Sequence, residues 1–166
     1  MDKTIELLDA TVEDCEFVAT CHYIQAEGNK NRRIQLGLPA LLLNVLIGSV
    51  LVADLGEALP DPVKWIAAIV ALIVSLLVAV QTFFKFDEDE KKHRQLGNEF
   101  NRITRRLARL KAGWADKTIA DTQFTTDFTS TMEDYETVCA ENEKCPPSRA
   151  VAFKLKKSWK GKISQQ

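Results

Sequence analysis

The side chains best suited to chemistry are few. The chain of 166 residues holds two histidines, His22 and His93, and four cysteines, Cys15, Cys21, Cys139 and Cys145. Cys15, Cys21 and His22 can be drawn as half of a metal site, with Cys139 and Cys145 as the other half. Both cysteine pairs have five intervening residues, which is wider than the usual zinc-knuckle spacing. Buried, inert thiols are therefore the expectation, with no metal and no cofactor. Residues 87–90 form a carboxylate run, but four successive helical positions point in different directions, so the run reads as a solvated helix start. No G-x-x-x-x-G-K, G-x-G-x-x-G, H-E-x-x-H or G-x-S-x-G occurs, and no nucleophile–base constellation is visible. The sequence predicts a protein that is not an enzyme and has no catalytic residues.

The elements that must position these residues follow from the charge pattern. Net charge is −1, from 22 basic and 23 acidic residues, which gives no sign of a nucleic-acid binder. Mean hydropathy is −0.13, yet residues 34–53 and 65–84 are two runs of 20 residues without a charge. Twenty helical residues reach about 30 Å, the thickness of a bilayer's hydrocarbon core. Neither run has the polar stripe of a half-exposed helix. Trp65, Phe83 and Phe84 lie where an aromatic belt would, bracketed by Lys64 and Lys85. The expected fold is an all-α membrane protein, with a two-span transmembrane hairpin at 34–85 whose acidic connector is 54–64. Pro39 falls near the first turn of the first run, and Asp61-Pro62 reads as the start of the second. Residues 1–33 would form an N-terminal cytosolic helix and 86–166 a C-terminal cytosolic helical region, together a helical bundle. The opening MDKTIELLDATVED is acidic and has no apolar h-region, so no secretory signal is expected. Lys and Arg gather outside the connector, so the positive-inside rule places a multi-pass protein in the inner membrane with both termini cytoplasmic.

The non-membrane parts read as helices built to pair. Leu8, Val12, Cys15, Ala19, His22 and Ala26 alternate in steps of four and three, ending at a Gly28-Asn29 break. Three heptads of a/d spacing follow the second run at His93, Leu96, Phe100, Ile103, Leu107, Leu110 and Trp114. This seam is read either as packing against the N-terminal helix or as also building an oligomer. A third helix over 117–143 has Ile119, Phe124, Phe128, Met132, Tyr135 and Cys139 on its apolar side, with a Thr-rich centre that weakens the pattern. Residues 149–166 carry six basic residues and no acid. That tail suits anionic lipid headgroups, RNA, or docking of its Phe153, Leu155 and Trp159 on the helices.

Small residues form a stripe on each apolar run: Gly37, Ala40, Asn44 and Gly48 on the first, and Ala68, Ala71, Ser75, Ala79 and Thr82 on the second. Such stripes let helices approach closely. They either lock the hairpin or, with Asn44 and Ser75, line a wet lumen. No ionisable residue lies inside either run, so proton relays and voltage sensing are not expected.

With an N-terminal helix, two apolar runs, then FFKFDEDEKKHRQLGNEFNRITRRL and the ending YETVCAENEKCPPSRAVAFKLKKSW, the chain resembles the SLATT family of small two-transmembrane bacterial effectors. The resemblance covers nearly the whole chain and supplies no catalytic residues. It implies a pore-forming membrane effector in bacterial antiviral defence of the CBASS-like kind, one that oligomerises to permeabilise the inner membrane in abortive infection. It also implies a lipid bilayer and a homo-oligomer as partners, with a nucleotide-synthetase or SLOG-type sensor beside it; from the charge balance no nucleic acid is expected. The alternative is a non-enzymatic membrane scaffold or partner-recruiting protein.

Overall fold

The computed structural model describes residues 2–54 and 60–163. Its helices are α1 (Asp2–Asp54), α2 (Asp61–Phe84), α3 (Phe86–Ala115), α4 (Asp121–Lys144) and α5 (Arg149–Ile163). They form two compact units, one of Met1–Glu27 with Glu90–Gln166 and one of Gly28–Asp89. Residues 55–59 of the expected connector lie outside the described residues, as does the side chain of Thr82.

The first unit is a helical bundle. α3 begins with Asp87, Glu88 and Asp89 in its first turn, where carboxylates meet the positive end of the helix dipole. His93, Leu96, Phe100, Ile103, Leu107 and Leu110 are all buried, and Trp114 is partly buried. From Leu96 onward they pack in one core with Leu8, Cys15 and Ala19 of α1 and Phe124, Phe128 and Val138 of α4. Gly97 lies among them because a Cβ there would come within 3.1 Å of the Tyr23 ring. The threonines of α4 do not break it. Thr125, Thr126, Thr129, Thr131 and Thr137 each donate a hydroxyl hydrogen bond to the carbonyl four residues back, so their oxygens are satisfied inside the helix. The basic segment at the C-terminal end is itself helical, and the Trp159 ring meets Phe17 edge-on at 5.7 Å, while Phe153 stays 77% exposed.

The second unit pairs the distal part of α1 with α2. The less exposed positions are Leu36, Ala40, Leu43 and Ile47 on α1 and Ala67, Val70, Val74 and Leu77 on α2. Both sets recur in alternating steps of three and four, the spacing of one helical face. Arg33 forms an ion pair with Asp87. Lys85 takes a left-handed conformation (φ 46°) between α2 and α3, and its carbonyl accepts the first amides of α3, from Glu88 and Asp89.

Here the structure corrects the sequence reading. The expected N-terminal helix and first span are one continuous helix of 53 residues, with Pro39 inside it. Gly28 does not end the helix, because glycine costs only about 1 kcal/mol in a helix interior. Among the described residues one helix segment, Pro62–Val80, is long and apolar enough to cross a membrane. The two-span transmembrane hairpin therefore does not stand, and neither does the multi-pass inner-membrane topology with both termini cytoplasmic. The pore-forming effector of antiviral defence falls with them, as does its membrane-scaffold alternative. Intramolecular contacts among aromatic and polar side chains close the first unit instead, such as Phe100 against Tyr135 and Arg106 with Asp134.

Candidate functional site

The most concentrated chemistry lies in the first unit, where the chain's two histidines meet. His22 comes from the buried stripe of α1 and His93 from the N-terminal part of α3. The helices bring the rings together across 71 residues of sequence. Their Nδ1 atoms are 2.9 Å apart, and the ring centroids 5.1 Å. His22 is wholly buried and His93 is 6% exposed. Asn142, near the end of α4, places Oδ1 at 2.9 Å from His22 Nε2. Cys145 caps α4, and its Sγ lies 3.9 Å from His93 Nε2. The face of the Phe100 ring stacks on His22 at 6.0 Å.

One arrangement of protons satisfies these contacts. An amide oxygen only accepts, so His22 donates through Nε2–H to Asn142. The neutral His22 ring then accepts at Nδ1, and His93 Nδ1–H donates to it. His93 is left with Nε2 facing the Cys145 thiol, which is the donor there. Burial pushes His22 below the usual histidine range; the Asn142 hydrogen bond opposes that shift and His93 adds to it.

The other thiols are in unreactive surroundings. Burial pushes Cys15 up to about 12, with Asp14 and Cys139 adding to the shift. Burial also raises Cys21 and Cys139. Tyr135, beside Cys139, is raised by burial and by donating its hydroxyl proton to Asp14 at 2.7 Å. Among the described residues no three His, Cys, Asp or Glu side chains are placed to hold a metal ion. The metal half-sites drawn from the sequence are thus taken apart: His22 goes to His93 and Asn142, and Cys145 to His93. Both histidines fall on apolar stripes in the sequence. Nothing there pairs them or points to Asn142, whose role needs the register of α4.

The small-residue stripes are placed differently from one another. Gly37 and Ala71 are partly buried and Ala40 is buried, while Asn44, Gly48, Ala68, Ser75 and Ala79 are exposed. Ser75 donates its hydroxyl to the Ala71 carbonyl at 2.9 Å. The exposed side of the second unit is otherwise apolar. Leu38, Leu41, Leu42, Val45 and Leu46 on α1 are each more than half exposed, and so are Trp65, Ile66, Ile69, Leu72 and Leu76 on α2.

No family model matches the chain, and no curated protein or solved structure shows significant similarity to it.

Proposed function

We propose that the chain is a non-enzymatic association protein, in which copies meet through the apolar surface of the second unit. One observation carries this: the 19 residues Pro62–Val80 have a mean hydropathy of 2.6, and only 6% of them are buried. A core helix of this composition is mostly covered by its own chain. Here Ile66, Ile69, Leu72 and Leu76 are 58–72% exposed. Covering each such side chain is worth about 1.5–3 kcal/mol, and single chains rarely leave a contiguous apolar patch of more than a few hundred Å² uncovered.

A second reading, that lipid covers the same helix, is favoured by its length of about 30 Å and by Trp65, 73% exposed near one end. Sedimentation of the purified chain in mild detergent tests the first reading. The parent should sediment as an oligomer, and Leu72→Glu with Leu76→Glu should bring it to a monomer without changing helix content. A parent that is monomeric in detergent yet floats with liposomes would replace self-association by lipid contact.

A further inference from the structure

A second polar feature of the first unit is independent of the histidine centre and of the apolar surface. Along α3, Asn98, Asn101, Arg102, Arg105 and Arg109 line an open hollow of about 300 Å³, closed on its other side by Tyr23 of α1. Asn98, Arg102, Arg105 and Arg109 recur in steps of four, three and four, so they share one helical face. The arginines are spread over about 10 Å of helix rise.

Elsewhere, basic side chains at helix contacts of this unit are matched. Arg106 pairs with Asp134 at 2.7 Å, and Lys111 pairs with Asp9. Arg102 pairs with Glu99, three residues back on the same helix, at 2.9 Å. Arg105 and Arg109 have no carboxylate partner among the described residues; Arg109 Nε donates instead to the Arg105 carbonyl at 3.2 Å. Three guanidiniums thus face one carboxylate. The neutral groups are ordered around them: the Tyr23 hydroxyl donates to Asn98 Oδ1 at 2.9 Å, and Asn101 Nδ2 donates to the Tyr23 oxygen at 3.3 Å. The Tyr23 ring is held against Gly97.

We propose that this hollow binds an oligophosphate anion. Guanidinium forks match phosphate oxygens in pairs, and a row of three calls for a ligand with charge on more than one group. A single carboxylate or orthophosphate would meet one arginine, whereas a chain of linked phosphates reaches along the row. The two asparagine amides and the phenol add neutral hydrogen-bonding groups beside it. The same chemistry is offered by a free polyphosphate or by a multiply phosphorylated lipid headgroup.

Calorimetric titration of the full chain in detergent with sodium tripolyphosphate tests this. We expect saturable binding at one site per chain and much weaker binding of orthophosphate. Arg105→Gln with Arg109→Gln should weaken binding by about tenfold or more, since each lost charge-assisted contact counts. Both arginines are exposed, so the melting temperature of that variant should stay near the parent's and show the fold intact. Arg149→Gln, basic but elsewhere, should bind within about twofold of the parent. Flotation with liposomes containing a phosphorylated inositol lipid identifies the source: capture that is competed by tripolyphosphate and lost in the double variant marks a headgroup, and no capture marks a free anion. Equal loss in the Arg149 and the double variants would overturn the site, as would absent tripolyphosphate binding or binding of a single-stranded oligonucleotide alone.

Discussion

His22 Nδ1 lies 2.9 Å from His93 Nδ1, and only one proton fits between them. Asn142 holds the other His22 nitrogen as a donor, so His22 is built to stay neutral. The unfolded chain has no such constraint and takes up a proton near the ordinary histidine value of about 6.5.

That difference makes stability depend on pH, with a definite sign. The folded His22 value is depressed, so below about pH 6.5 the unfolded state binds more protons than the folded one. The contribution is complete above that pH and is lost as pH falls toward the folded value. Thermal melts followed by circular dichroism should therefore give a lower Tm at about pH 5 than at about pH 7.5. His22→Gln removes the titrating group, so it should melt lower at neutral pH but with a flatter pH slope. An undiminished slope in that variant would assign the effect to other groups.

Leu107 is fully buried at the centre of the core shared by α1, α3 and α4. Leu107→Ala removes several buried carbons and leaves a cavity, which costs about 2–5 kcal/mol. Chemical denaturation should show that loss with little change in the slope of the transition. A cost near zero would mean that the stripe is not closed.

The ion pair of Arg106 with Asp134 joins α3 to α4 at 2.7 Å, but its side chains are 38% and 45% exposed. Water screens it, so a double-mutant cycle with Arg106→Gln and Asp134→Asn should give a coupling under about 1 kcal/mol. A larger coupling would show that this pair, rather than the apolar stripe, holds the two helices.

Particular residues show how far the sequence could be read. The steps of three and four from His93 to Trp114 are visible in the sequence, because a buried helical stripe leaves that period whatever it packs against. The length of α1 was not legible. Gly28-Asn29 and Pro39 are ordinary helix breakers, yet the helix runs through all three, and Asn29 is buried within it. An apolar run such as 65–84 gives the type of surface but not what covers it, since periodicity carries no information about burial by other molecules. The histidine centre was hidden for a different reason. Its four residues are spread from position 22 to position 145, and only the relative register of three helices brings them within hydrogen-bonding reach.

That register also ranks the four cysteines. Cys15 and Cys21 are buried, and Cys139 and Cys145 are partly exposed. Attack on a disulfide reagent needs the thiolate and a path to it. Cys15 lacks both, with no exposed surface and its thiol pushed up to about 12. Cys139 is reachable, but burial raises its thiol too. Cys145 alone has a histidine nitrogen facing its sulfur among the described residues, at 3.9 Å. It also lines an open hollow beside Lys92 and Lys144. Reaction of the native protein with an aromatic disulfide reagent, followed by absorbance, should therefore show one fast thiol and three slow ones. Cys145→Ser should abolish the fast phase. His93→Gln should slow it at neutral pH while leaving the slow phases in place, and unfolding in denaturant should make all four thiols react alike. A fast phase that survives Cys145→Ser would place the accessible thiol at Cys139, and the histidine would then be a packing residue.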